Sequence, residues 1–458
     1  MNTHTRLSKI LFMGVIFSIL SSLVVPSGWV GARPEQAFGS ISFVPNIETA
    51  GIVVSGAGLP ATAQLFYRRV GDVTWLPGHN LLRIKDGRLI GSLFNLTAST
   101  SYEVRVSDGA TEVTGLFTTQ ADELFFSPTT IIYVNASAQA GGDGSVSAPF
   151  RTIQEGVNRA APGSQVLVAD GVYSESVTFP ASGTAGNWIQ VRAQGGGAVL
   201  DGSASVLATD WIPVEGKANV WYTKISPGIK YLARDGLRFY QYDFLSDLYD
   251  QRGHNNVPMS EGWFYEPLNG RLYVRINREP HKYIWQVPKF NAAFMVDGRD
   301  WVWIEGFEMR YYGTEFGCGV CSKNSSHVVI RKNKIHHIQN PVFVEWTGGE
   351  DRGNDTRIEY NEMYDTLTGG DWAWGAIKST AMESMAIVLR GHTGAIVRGN
   401  TIHHYFNGIY TSSSAALDNP GVAFDADIYN NYVYHIGDDA FEPEGTAVNH
   451  RFRNNKVD

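Results

Sequence analysis

Ile330-Arg331-Lys332-Asn333-Lys334-Ile335 is one of five stretches in the last third of the chain built as apolar-x-x-Asn-x-apolar. The others run Ile358 to Met363 around Asn361, Val397 to Ile402 around Asn400, Ile428 to Val433 around Asn431 and Phe452 to Val457 around Asn455. Ile304 to Met309 fits the same frame with Phe307 at the asparagine position. Successive asparagines lie 28, 39, 31 and 24 residues apart.

Strict spacing within each stretch and unequal gaps between them describe coils fixed at their strands and variable at their turns. Strand register is strict, whereas a loop insertion costs little. A right-handed parallel β-helix meets this description. Asparagine suits its corners because the side-chain amide can bond the backbone of the neighbouring coil and because the residue tolerates left-handed backbone.

The 458-residue chain can hold about three ordinary domains, or one domain plus a long solenoid; the repeats select the second. Residues 1–32 read as a secretory signal: Arg6 and Lys9 precede the mostly apolar run Ile10 to Val25, and Val30-Gly31-Ala32 supplies small residues for cleavage. That run is short for a spanning helix, so the mature protein is expected to be exported, with no stable membrane span. Its charge is then 35 basic against 45 acidic residues, or −10, which disfavours nucleic acid as a partner. Cys318 and Cys321, in Cys-Gly-Val-Cys, can form a local disulfide in an oxidising compartment or remain inert thiols.

Residues 33–122 alternate apolar strands with turns and show no helical period. Gln64 to Arg68 is followed by Trp75 and then by Leu96 to Val106, which includes Tyr102. The last run resembles the tyrosine-corner strand of fibronectin type III domains, with Tyr102 as the corner residue. The resemblance implies a small β-sandwich acting as a spacer or weak binding module.

The β-helix is expected over 128–458. It opens with Ile131 to Asn135, Pro149-Phe150 and a helical pattern at Ile153, Val157 and Ala160, followed by Pro162-Gly163 and the strands Gln165 to Val168 and Gly171 to Val177. The helix would cap the open end of the solenoid, whose edges otherwise invite pairing with other chains. This block resembles the start of pectate-lyase-like right-handed β-helix proteins, a superfamily of polysaccharide lyases, uronan epimerases and glycoside hydrolases. The resemblance implies a fold and leaves the chemistry open. Residues 205–290 interrupt the coils as a β-rich insertion containing an Asn269-Gly270 hairpin and aromatics, among them Tyr240, Tyr242 and Trp285, that read as core. The final repeat, Arg451 to Asp458, is followed by no capping element, so a cap is expected from elsewhere.

Period-2 alternation in the strands that complete each coil points Val342, Ile387, Ile409 and Phe441 inward. Two outward columns result: Phe343, Val388, Tyr410, Glu442; and Glu345, Arg390, Ser412, Glu444. Such a face is either a polysaccharide groove or a solvated ladder. Asp438, Asp439, Glu442 and Glu444 crowd one short stretch and repel unless solvent, a proton or a cation relieves them, and calcium is the natural candidate in an exported protein. The cluster resembles the acidic strands of β-helix lyases, and more loosely the Gly-Asp-Asp stretch of β-helix polygalacturonases, although Ala440 stands where that family has cysteine. The 39-residue coil carries a loop, Thr366 to Ser384, with Asp371, Trp372, Trp374, Lys378 and Glu383. Lys378 with Arg390 resembles the basic pair of chondroitinase B-like and alginate lyases.

The expectation is therefore an exported protein acting on a uronic-acid polysaccharide by calcium-assisted β-elimination. Lys378 or Arg390 would be the base, which for lysine requires a lowered pKa, and Tyr410 a proton donor. Glu345, Trp372, Trp374 and Ser412 would contact substrate, and Asp438, Asp439, Glu442 and Glu444 would bind metal. A glycoside hydrolase using acids such as Asp439 and Glu442, and a non-catalytic glycan-binding rod, are the alternatives. His336, His337, His403, His404 and His435 follow the asparagines and read as stacked ladder residues, with Tyr364, Asp365 and Tyr434 on the remaining rungs.

Overall fold

The asparagines form a continuous ladder. Asn333 Nδ2 donates to Asn361 Oδ1 at 3.1 Å and Asn361 Nδ2 to Asn400 Oδ1 at 3.0 Å; the series continues through Asn431 to Asn455. Each side-chain oxygen also accepts the backbone N–H of the preceding corner, as in Asn361 N to Asn400 Oδ1 at 3.0 Å. Phe307 ends the series, its N–H donating to Asn333 Oδ1 at 3.0 Å. The left-handed conformation falls one residue earlier than the sequence suggested, on Gly306, Lys332, Tyr360, Gly399, Asn430 and Asn454. Asparagine earns its place by satisfying buried backbone groups, since an unmatched one costs about 1–3 kcal/mol.

The computed structural model describes residues 38–206, 210–347, 355–366, 374–411, 424–445 and 447–458; the expected signal segment 1–32, Asp371, Trp372 and Ser412 lie outside them. Among the described residues no helix is long and apolar enough to cross a membrane.

From Thr130–Val134 onward the chain winds through three parallel sheets, making a right-handed parallel β-helix. In a representative coil Val328–Arg331 lies in the first sheet, Lys334–His336 in the second and Asn340–Glu345 in the third. Apolar rows line the interior: Ile304, Ile330, Ile358, Val397 and Ile428 pair in succession. Val342, Ile387, Ile409 and Phe441 do the same in the third sheet. These rows join one buried core, with Phe441 at its margin. Each fully buried aliphatic side chain contributes about 1.5–3 kcal/mol.

The expected helix is Ile153–Arg159. It is started by a capping box between Thr152 and Glu155, and Ile153 and Val157 are buried in the core beneath it. The insertion contains two antiparallel four-stranded sheets, and Gly262–Glu266 pairs with Arg271–Arg275 across the Asn269-Gly270 turn. Its aromatics, Tyr240, Tyr242, Trp263 and Trp285, are buried.

The N-terminal strands, from Ser40–Pro45 to Glu112–Thr118, form a sandwich around Ile52, Val54, Leu65, Val104 and Val106. Tyr102 is buried within it, and its hydroxyl accepts the Thr97 N–H at 2.9 Å. The sandwich docks on the outer face of the first sheet. Cys318 and Cys321 form a disulfide on the outer side of the third.

Candidate functional site

Register in the third sheet brings the expected columns together. Phe343 pairs with Val388, Val388 with Tyr410 and Tyr410 with Glu442, while Lys323 pairs with Glu345 and Glu345 with Arg390. The first column is no open wall. Phe343, Val388 and Tyr410 are buried with Cys318 and Cys321 in an apolar strip, and Phe316 packs edge-on to Phe343 at 4.6 Å. Phe343 and Cys321 of this strip floor a cleft of about 570 Å³ lined by Lys230, Phe316, Lys323, Glu345 and Arg390 among others.

Arg390 stands at the centre. Its guanidinium lies 5.6 Å from the ring centroids of both Phe343 and Tyr410 and 4.0 Å from Glu345. Lys323 shares that carboxylate at 3.6 Å. Arg390 Nε is buried with no hydrogen-bond partner among the described residues, while the side chain as a whole is one-third exposed.

One rung further, Tyr410 donates to Glu444 Oε2 at 3.0 Å. Burial and this bond push the phenol up to about 12, so it stays protonated at neutral pH. Glu442 accepts from Asn407 Nδ2 at 2.7 Å, and the same asparagine is oriented by the Asp439 N–H, which donates to its Oδ1 at 3.1 Å. Burial pushes the Glu442 carboxyl up to about 7; Lys378 opposes the rise, and Asp439, Glu444 and Glu383 add to it. A carboxyl poised at neutrality is suited to giving or taking a proton.

Lys378 is placed at the edge of this group but not as a base. Its ammonium is bonded to Asp438 Oδ2 at 2.7 Å and Glu383 Oε1 at 2.9 Å, and these bonds shift its pKa upward. The lowered pKa that a lysine base requires is therefore not met. Arg390 stays charged in proteins and acts as a cation. Trp374 opens the short turn that carries Lys378 and is more than half exposed; Lys378 N–H donates to its carbonyl at 2.9 Å.

Three of the four carboxylates expected to hold calcium are engaged by other side chains as placed. Asp438 is taken by Lys378, Glu442 by Asn407 and Glu444 by Tyr410. Among the described residues no three His, Cys, Asp or Glu side chains gather to hold a metal, whereas calcium asks for six to eight oxygens.

The histidines follow the ladder reading. The His336, Tyr364, His403 and Tyr434 rings stack at 4.8, 5.0 and 4.8 Å along the second sheet. Burial, then the neighbouring His337 and His404, push His336 and His403 down to about 4.

Sequence reasoning missed Asn407 and Lys323. Both sit in the aligned strands, Asn407 two residues before Ile409 and Lys323 directly beneath Glu345. Extending the columns by one strand and two positions would have found them.

No protein-family model matches the chain, and no curated protein matches its sequence. Among solved structures it is similar to XylC in complex with xylose, at 17% identity and TM-score 0.47 over 71% of this chain and 63% of that one. It is also similar to pectate lyase Pel9A (16%, 0.38, 71% and 62%) and to a rhamnogalacturonan lyase (12%, 0.32, 72% and 62%). The chain spans less than two thirds of each of these three. The two lyases are right-handed β-helix proteins, the architecture that strand pairing fixes here independently.

Proposed function

We propose that the outer face of the third sheet is the catalytic surface of an exported polysaccharide-active enzyme and that Glu442 is its proton-transfer group. The observation that carries this reading is a half-buried carboxyl raised to about 7, one rung from Tyr410 and two from Arg390, which lines the neighbouring cleft. Structural ion pairs also perturb carboxyls, but Glu442 is held by a neutral amide, which leaves its proton available.

The first reading of the reaction is β-elimination from a uronate unit. Arg390 neutralises the sugar carboxylate, and ionised Glu442 takes the proton α to it. The electron pair forms the carbon-carbon double bond, the glycosidic carbon-oxygen bond at the β carbon breaks, and Tyr410 protonates the leaving oxygen. No step passes through calcium. The second reading is hydrolysis, favoured by the carboxylates beside Glu442: its protonated form would donate to the glycosidic oxygen while Glu444 or Asp439 activates water.

A panel of pectate, alginate, glycosaminoglycans and neutral glucans and xylans, assayed for both ultraviolet absorbance and reducing ends with and without chelator, tests the proposal. Elimination gives unsaturated, absorbing products at a rate that rises with pH through about 7, because the base is the ionised form. Hydrolysis gives reducing ends alone, and its rate falls through the same range. Binding without cleavage, unchanged in Glu442→Gln, sinks the enzyme reading and leaves a glycan-binding rod.

A further inference from the structure

The face of the sandwich that meets the first sheet is built from groups that have no use in an isolated domain. Thr49 Oγ1 donates to Asp427 Oδ2 at 2.6 Å, and Arg451 Nη1 donates both to Ser92 Oγ and to Asp425 Oδ1 at 3.0 Å. Asn449 Nδ2 donates to the Gly91 carbonyl at 3.2 Å, and Arg453 pairs with Glu48 at 2.8 Å. Ile47 packs on Ile396 and Tyr429, and Ile90 on Phe424. Asp425, Asp427 and Arg451 are all buried, so each is a charge that depends on its partner.

These contacts fall on residues 396–453, although the sandwich is encoded more than 300 positions earlier. The same stretch contributes Tyr410, Asn407, Glu442 and Glu444 to the third sheet. The residues just after the strand Glu112–Thr118 add straps to the first-sheet strands one and two before Asp427–Tyr429: Arg357 donates to Gln120 Oε1 at 2.7 Å and to the Ala121 carbonyl at 2.8 Å, and Arg398 donates to the Asp122 carbonyl at 2.8 Å.

We propose that the sandwich is an intramolecular clamp on the last coils, keeping Tyr410, Asn407 and Glu442 in register, rather than a free spacer or glycan-binding module. Gly51 is the point at which docking can be separated from the sandwich's own fold. It lies in the strand Ala50–Ser55 with ordinary strand pairing to Ser92. A Cβ there would stand 1.7 Å from Asp425 Oδ1, so either that buried carboxylate turns away from Arg451 and Asn449, which donate to it, or the two faces part.

The test is amide hydrogen exchange on the full chain carrying Gly51→Ala. Protection in Asp427–Tyr429, Tyr432–Tyr434 and Phe441–Pro443 is expected to fall by roughly tenfold or more. Protection in Ser101–Ser107 of the sandwich and in Ser164–Val168 of the first coils is expected to hold. Unchanged protection in the last coils, or an equal loss in the first ones, overturns the clamp. If Gly51→Ala does not fold, Thr49→Val, which removes only the hydroxyl bonded to Asp427, decides by the same pattern at smaller amplitude. Exchange needs no substrate, so this result stands apart from the proposed function; the accompanying loss of polysaccharide cleavage expected in Gly51→Ala rests on it.

Discussion

The first and third sheets are two outer faces of the same coils, and both place arginine beside carboxylate on matching rungs. On the first sheet the Arg451 and Asp427 side chains are 3% and 1% exposed, covered by the sandwich and bonded from several sides. On the third sheet Arg390 and Glu345 are 33% and 22% exposed and stand 4.0 Å apart. A covered pair costs desolvation that only complete partnering offsets, so it fixes position. An open pair is loosely held and can exchange its partner for a ligand. An arginine beside a carboxylate thus serves assembly on one face and, in the function proposed here, chemistry on the other.

The largest expected effect is on the covered face. Asp427→Ala strips Arg451 and Thr49 of a buried partner and should cost about 3–5 kcal/mol, measured by urea denaturation of the full chain. A cost below about 1 kcal/mol would erase the distinction between the faces.

On the open face Glu442→Gln keeps the shape and the Asn407 bond. It should lower the cleavage rate by about 10²–10⁴-fold while stability stays within about 0.5 kcal/mol of the parent. A stability loss comparable to that of Asp427→Ala would make Glu442 a structural residue.

Lys378→Met sharpens the picture within the open face. Lys378 holds the Glu442 pKa down, so its removal should move the pH midpoint of activity upward and change the rate at pH 7 severalfold. A downward move would mean that the titrating group is not Glu442.

The smallest effect belongs to the second sheet. The folded pKa of His403, about 4, lies below its ordinary 6.5, so the neutral stack is fully stabilising above pH 6.5 and loses that contribution as pH falls towards 4. His403→Tyr extends the ring column between Tyr364 and Tyr434 and should flatten this loss by no more than about 1 kcal/mol, because the histidine is only half-buried. Thermal unfolding at pH 7 and pH 4.5 reads it; an unchanged difference between the two temperatures would place the acid sensitivity elsewhere.

Much of the architecture was legible because the rules behind it are local. The Asn333 to Asn455 ladder follows from a fixed spacing between corner and strand, and the rows Val342 to Phe441 and Phe343 to Glu442 follow from period 2. The roles were less legible. Lys378 reads as a base until Asp438, 60 residues away, is found on its ammonium. Asp438, Asp439, Glu442 and Glu444 read as one metal set until Asp438, Glu442 and Glu444 are seen bonded to three different side chains. Tyr410 reads as exposed until the apolar strip around it is described.

The sequence by itself determined the coil, its register and which residues share a rung, because backbone pairing and side-chain alternation are periodic and need no knowledge of distant neighbours. Only the tertiary structure decided which charges are satisfied, which carboxyl is left near neutrality and where the sandwich lands. Those outcomes depend on burial and on distances of a few ångströms between segments hundreds of residues apart, and Coulomb and desolvation terms at that range are set by packing rather than by order along the chain.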